Sequence, residues 1–275
     1  MRSHKKFINL SIAWLTSASF LLALISGIIL SYHYYYTQPL VSTLKIESFV
    51  PFGKYWRGLH YMSSQIALIG LFLHLIDSVY KKFYLLKGKK GWFFLVLSFF
   101  ALLYITFTGY LLRGDEIGEL AGSIAENLFL SLPYLGEILN RIFFAISQIG
   151  LWRVYNWHIF LSFFLALGLF LWHFKITALF RWKNLPYFLT LGLLPLFLDF
   201  PLKSYQGLVA RGPWFFVGAQ EMLKLFPPPM VFSWLLLPFP FLTLYSFVPK
   251  GAKFIDLLLL AYLLLYLFFS IWFFL

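Results

Sequence analysis

Long apolar runs alternate along the chain with short polar, basic or aromatic stretches. Seven of them stand out: residues 8–31, 59–80, 91–112, 155–179, 185–199, 231–248 and 254–274. Most approach or exceed the roughly 20 residues that a helix needs to cross a bilayer core about 30 Å thick. The fifth run is short and carries Pro186 and Pro195; the sixth carries Pro238 and Pro240. Membrane helices tolerate such kinks where neighbouring groups satisfy the freed carbonyls. The pattern therefore predicts an all-α, polytopic membrane protein of about seven transmembrane helices. Two connections are long. Residues 113–153 contain the amphipathic stretches Ile117–Leu130 and Leu135–Gln148, divided by Pro133, and residues 200–230 contain Gly212, Pro213, Trp214 and Phe215 followed by the run Pro227–Pro229. Segments of this length and aromatic content cover a site or bind a partner more often than they merely connect.

Composition agrees. The chain is 61% hydrophobic and 23% aromatic, with 35 Phe and only 12% charged residues, more apolar surface than a soluble core of 275 residues can bury. It has no cysteine, which excludes disulfides, thiolate-bound iron–sulfur clusters and thioether-attached haem in this chain. Arg2–Lys6 and the apolar run behind it resemble a signal peptide, but an apolar stretch from Phe7 to Leu30 is too long for a signal core and reads as a retained first helix.

Charge sets the orientation. The N-terminus and the loops at 80–90, 175–184 and 249–253 fall on one side and hold 13 Lys and Arg against Asp77 and Asp256 alone; the other side holds nine against eight acidic residues. The positive-inside bias then places the N-terminus in the cytoplasm. The formal charge of +12 reflects this topology, and with no continuous basic patch it gives no case for nucleic acid binding.

Four histidines lie inside the apolar runs. His60 and His74 are 14 residues apart, and His158 and His173 are 15 apart. Four helical turns take about 14.4 residues, so each pair shares one helix face, its members about 21–22 Å apart along the axis. In the charge-derived topology the second and fourth spans both run inward, which pairs His60 with His158 at the outer side and His74 with His173 at the inner side. Ionisable groups within a membrane are costly and point to function. A neutral imidazole is an axial ligand for haem iron, and two such pairs could clamp two haems one above the other. Zinc or copper would need ligands clustered within a few ångströms. His33, at the end of the first span among Tyr32 and Tyr34–Tyr36, and His4, in the tail, have no partner at ligand spacing.

Arg57 precedes His60 by one turn and Arg153 precedes His158 by five residues, both at the outer mouth where haem propionates would emerge; interfacial snorkelling accounts for either equally well. Lys81 and Lys82 stand in the same relation to the inner pair. Gly27 and Gly109 fall at the depth of the outer histidines, where a missing side chain would admit a porphyrin face or a neighbouring helix. Gly70 and Gly168 lie near the ligands and carry the same two readings.

Several motifs together resemble cytochrome b, the quinol-oxidising core of the cytochrome bc and b6f complexes, over roughly residues 7–180. Ser26-Gly27-Ile28-Ile29-Leu30-Ser31-Tyr32-His33-Tyr34 resembles the end of that family's first helix, and Phe52-Gly53-Lys54-Tyr55-Trp56-Arg57-Gly58-Leu59-His60 the entry to its second. Thr108-Gly109-Tyr110 resembles the close of the third, and Arg153-Val154-Tyr155-Asn156-Trp157-His158 the approach to the second ligand pair. The shorter photosynthetic form is the nearer likeness, because its second pair also has the 15-residue spacing.

The resemblance implies two haem b groups, ligated by His60/His158 and His74/His173, with Arg57, Arg153, Gly27 and Gly109 around the outer one. It implies a four-helix haem-binding domain over residues 1–183 and a three-helix part over 184–275. It further implies quinol oxidation at the outer face, an inner quinone site, Rieske iron–sulfur or c-type cytochrome partners, a dimer within a complex, and an energy-transducing membrane, bacterial or archaeal. The sequence departs from the family in places. Ala13 and Leu95 stand where inner-haem glycines are expected, Leu111-Leu112-Arg113-Gly114-Asp115-Glu116 replaces a Pro-Trp pair, and Gly212-Pro213-Trp214-Phe215 replaces Pro-Glu-Trp-Tyr. The glutamate of that last signature is absent; Glu221, Asp115 and Glu116 are candidate substitutes as acceptors of a quinol proton, and Glu221 is the candidate catalytic residue. The departures keep a second function open, a dihaem relay between the quinone pool and a non-Rieske partner such as multihaem cytochromes or a periplasmic oxidoreductase. A channel or transporter with proton-relaying histidines lacks paired membrane carboxylates and leaves the spacing unexplained.

Overall fold

A computed structural model describes residues 2–86, 88–169, 180–202, 211–248 and 251–272, with the backbone alone for residues 2–11 and 183. Every regular element among them is helical. In chain order they are α1 (Arg2–His33), α2 (Pro39–Phe49), α3 (Gly53–Tyr80), α4 (Phe83–Leu86), α5 (Gly88–Leu111), α6 (Glu116–Leu130), α7 (Gly136–Phe143), α8 (Ile146–Ile149), α9 (Trp152–Leu167), α10 (Leu185–Leu193), α11 (Val217–Leu225), α12 (Pro228–Leu236), α13 (Pro238–Leu244) and α14 (Ala252–Trp272). The segments Ile12–His33, Gly53–Tyr80, Gly88–Leu111 and Ala252–Trp272 are long and apolar enough to cross a membrane. The chain is a multi-pass membrane protein.

Three hydroxyls of α1 are satisfied within their own helix, as suits a lipid surround: Thr16, Ser19 and Ser26 donate to the carbonyls of Ile12, Leu15 and Leu22. The predicted span at 155–179 is described as far as Leu169, and His173 lies outside the described residues. The fifth predicted span is shorter than expected. The apolar helical stretch is Leu185–Leu196, about 18 Å long, too short to cross a 30 Å core. It tightens into a single 3₁₀ turn at Pro195, which lacks the amide an α-helix would use next. The sixth, Pro228–Leu244, is divided at Pro238 into α12 and α13.

Four helices make the bundle that matters for function: α1 packs along α3, α5 along α9, and α3 against α5. Buried Phe20, Ala67, Leu68 and Leu102 form an apolar layer in its middle, with Leu165, Ala166 and Leu169 against it. Over one end lie α2, α6, α7 and α8. The first of these, α2, did not stand out in the hydropathy pattern; Pro39 at its first turn is the local start signal. It crosses α3 so closely that a β-carbon on Gly53 would sit 1.7 Å from the Ile46 carbonyl oxygen, a contact only glycine permits. Asp115 caps α6 by accepting from the Gly118 amide at 2.9 Å, with Glu116 and Glu119 in the first turn favouring the helix dipole.

The amphipathic stretch Leu135–Gln148 forms two helices. It breaks at Ala145, which adopts φ 51° in the left-handed region. Buried side chains satisfy the amides that the break releases. Asn140 Oδ1 accepts from the Ala145 amide at 3.3 Å, and the Glu126 carboxylate accepts from the Ser147 amide (3.0 Å), the Ser147 hydroxyl (3.0 Å) and the Asn140 amide group (2.9 Å). These bonds join α6, α7 and α8 into one unit.

Candidate functional site

His60 on α3 and His158 on α9 face each other across the bundle. Their ring centroids are 6.1 Å apart and the ring planes make an angle of 64°. The depth pairing expected from charge and spacing therefore appears as direct proximity. Each ring is held by the neighbouring helix in the same way. His60 Nδ1 donates to the Ala23 carbonyl at 2.8 Å, with Ser26 Oγ at 3.5 Å. His158 Nδ1 donates to the Ile105 carbonyl at 3.0 Å, with Thr108 Oγ1 at 3.1 Å.

Gly27 and Gly109 complete the two cradles. A β-carbon on Gly27 would lie 3.0 Å from His60 Cε1, and one on Gly109 would lie 2.9 Å from His158 Cε1. The offsets are identical on α1 and α5: a carbonyl four residues before the glycine, a hydroxyl one residue before it, then the glycine itself. A helical carbonyl has a second lone pair beyond the one its own ladder uses. Only where the residue one turn on lacks a side chain can a ring from another helix reach it. Because a carbonyl can only accept, each imidazole carries its proton on Nδ1 and leaves the Nε2 lone pair free for a metal.

A family model described as cytochrome b (N-terminal)/b6/petB matches residues 65–184, beginning five residues after His60. Cytochrome b6 of Heliobacterium modesticaldum is 31% identical over 144 residues, and cytochrome b6 of Heliomicrobium gestii is 30% identical over the same length. Each alignment takes in 50% of this chain and 66% of the relative, so the chain spans just under two thirds of the relatives' length. These matches support a cytochrome b of the bc/b6f family, with residues 65–184 like its N-terminal/b6 part. Its fold is also that of a chain from a hyperthermophilic respiratory Complex III, at a TM-score of 0.63 and 16% identity, over 95% of this chain and 84% of the other.

Likeness to that family implies b-type haem, and the His60/His158 pair fits one. Metal–imidazole bonds are about 2.0–2.1 Å and a ring centroid lies about 1.2 Å behind its nitrogen, so two imidazoles holding one metal between them would have centroids about 6.4–6.6 Å apart. The observed 6.1 Å is close to that. Among the described residues no group of three or more His, Cys, Asp or Glu could hold a bare metal ion. His74 lies on α3 with its carbonyl accepting from Ser78 Oγ at 2.7 Å, while its expected partner His173 lies outside the described residues.

The other expected residues separate into groups. Arg57 stands near the N-terminal end of α3, largely buried, where its guanidinium ion-pairs with Glu47 of α2 and donates to the Phe200 carbonyl. Arg153 instead lines a cavity beside α7 and α8. Gly70 and Gly168 are packing glycines: added β-carbons would lie 2.3 Å from Thr16 Oγ1 and 2.5 Å from Phe94 Cζ. Lys81 ion-pairs with Asp77 at 2.7 Å. Glu221 is buried on α11 with Lys224 Nζ 2.6 Å from its carboxylate. Asp115 is taken up by Arg113 and by its cap.

Two features escaped the sequence reading. Trp214, in the segment that departs from the family signature, donates from Nε1 to Gln65 Oε1 at 2.8 Å, and Phe215 packs on the mid-bundle apolar layer. Gln65 is five residues past His60, about 7.5 Å further along α3. An amide within a membrane span was the available signal for it. For the Glu126 cluster the signal was a carboxylate on the apolar face of α6, beside buried Gly122 and Ala125.

Proposed function

We propose that this chain is a dihaem b-type cytochrome subunit that moves electrons across the membrane between quinol and quinone sites of a bc-type respiratory complex. The observation that carries the reading is the matched pair of cradles around His60 and His158, repeated at the same offsets on α1 and α5. Bound haem supplies one-electron chemistry at its iron. The chain's residues do the rest. The Ala23 and Ile105 carbonyls fix the ring tautomers and aim both Nε2 atoms between the helices, and Gly27 and Gly109 leave those rings room. Phe20, Leu68 and Leu102 keep water out of the layer between the outer and inner histidines, His74 and His173 being the inner pair. Arg57, at the outer end of α3, is the cation assigned to the outer haem's carboxylates. Glu221, buried beside Lys224 on the segment after Trp214 and Phe215, is assigned to accept a quinol proton on its carboxylate.

The same reading divides the chain at 183/184 into a haem-binding domain and a three-helix part. It places the N-terminus in the cytoplasm of a bacterial or archaeal cell and gives the chain Rieske or c-type partners within a dimeric complex. One observation favours a second reading. The Gly212-Pro213-Trp214-Phe215 segment holds no carboxylate, and its tryptophan is bonded to Gln65. A dihaem relay to a non-Rieske partner, such as multihaem cytochromes or a periplasmic oxidoreductase, needs no proton acceptor there.

A reduced-minus-oxidised absorbance spectrum of the purified chain tests both readings, since absence of a b-type α-band refutes them together. His74→Ala is expected to remove one of two haem components and leave the other; retention of both breaks the assigned pairing. An iron–sulfur EPR signal in the copurified complex separates the bc-type reading from the relay.

A further inference from the structure

Arg153 and Arg141 converge on a cavity of about 460 Å³ between α7, α8 and the start of α9. Its wall is apolar: Ile138, Ile142 and Ile149 line it and are 56%, 40% and 42% exposed. Arg141, Arg153 and Gln148 line it as well. Glu137 ion-pairs with Arg141 at 2.5 Å and offsets one of the two positive charges, so the lining is net cationic. Arg153 is the more committed group. Its Nε–H is buried with no hydrogen-bond partner, and its guanidinium lies 5.4 Å from the centre of the Trp152 ring. A buried donor left unsatisfied is costly and calls for an acceptor.

The location narrows what that acceptor is. Five residues turn a helix by about 140°, so Arg153 and His158 leave α9 on different faces. Trp152 is 43% exposed beside the cavity, and Trp157 donates to the Ile142 carbonyl at 2.6 Å behind it. Tryptophans in such places mark the headgroup level of a bilayer. An occupant must therefore offer an anion to planar guanidiniums and a hydrocarbon chain to three isoleucines. A quinone offers no charge, and a free anion leaves the isoleucines uncovered.

We propose that this cavity seats an anionic phospholipid of the leaflet on the His60/His158 side. Its phosphate accepts from Arg153 and Arg141, and an acyl chain lies along Ile138, Ile142 and Ile149. Arginine suits the role because its fork donates two parallel bonds to a phosphate. The inference does not depend on haem or on the direction of electron flow.

The test compares the full chain, purified with whatever haem it carries, in nanodiscs of phosphatidylcholine and in discs doped with phosphatidylglycerol. Lipid retained through detergent exchange is counted by native mass spectrometry. Phosphatidylglycerol should be retained in preference to phosphatidylcholine, with a thermal midpoint higher than in the neutral discs. Arg153→Gln should weaken that retention about tenfold, as expected for one lost bidentate charge contact, whereas Arg181→Gln, which removes a charge elsewhere, should leave it unchanged. Equal retention of the two lipids by the wild-type chain overturns the proposal, and that measurement stands even where Arg153→Gln does not fold. It is also overturned if inorganic phosphate raises the midpoint as much as the lipid does, which would make the site a simple anion site.

Discussion

Adding one methyl group at Gly109 puts the outer cradle to a test of sign. By helix propensity alone, Gly→Ala inside α5 should stabilise the protein by about 1 kcal/mol. The structure predicts the reverse. The new β-carbon would stand 2.9 Å from His158 Cε1, where ordinary contact begins at 3.4 Å, so the ring must retreat by about 0.5 Å. That retreat takes the 3.0 Å bond from Nδ1 to the Ile105 carbonyl out to about 3.5 Å, beyond useful hydrogen-bonding range. The lost bond costs about 1 kcal/mol and the overpacking about 1–3 kcal/mol, leaving a net loss of about 1–3 kcal/mol after the propensity gain. Gly192→Ala on α10 is the control, because its β-carbon would meet only the Tyr55 hydroxyl, at 3.9 Å. Thermal denaturation in detergent should rank Gly192→Ala at or above wild type and Gly109→Ala below it. A redox titration of the Gly109→Ala haem spectrum should show the outer component shifted or depleted and the inner one unchanged. A Gly109→Ala protein as stable as Gly192→Ala, with both components intact, would refute the cradle.

Other consequences are independent of that site. Glu126→Gln turns an amide group toward donors that now find a carboxylate; it should cost about 1–3 kcal/mol and expose the α7–α8 break to limited proteolysis. Glu47→Gln strips Arg57 of its largely buried partner and should cost about 3 kcal/mol, read as a lower denaturation midpoint. Asp199 behaves differently, since its carboxyl is held below the ordinary range by the hydrogen bond and charge of Lys54 but is fully exposed. A depressed carboxyl stabilises above its unfolded pKa of about 3.9 and loses that contribution as pH falls through the folded value. Asp199→Asn should therefore narrow the stability difference between pH 6 and pH 3 only slightly, by an amount that high salt abolishes.

Much of this protein was legible before any coordinates. The length of the apolar runs, the asymmetry of Lys and Arg, and a 14- or 15-residue histidine spacing depend only on the rise and turn of a helix and on the thickness of a bilayer. They sufficed to place His60 opposite His158, and the family motifs around them named Gly27 and Gly109. What the spacing could not reveal was why those glycines stand there. A carbonyl with a spare lone pair looks like any other until the helix carrying His60 or His158 is packed against it, so Ala23, Ile105 and the matching offsets on α1 and α5 exist only in the folded bundle. The break at Ala145 is of the same kind. The amphipathic pattern of Leu135–Gln148 gave no sign of it, and it is Glu126 and Asn140, distant along the chain or across a turn, that supply the hydrogen bonds holding the break. Arg153 shows the division most plainly: its sequence position put it beside a histidine, whereas the helical turn between them put it on another face, at a cavity lined by three isoleucines.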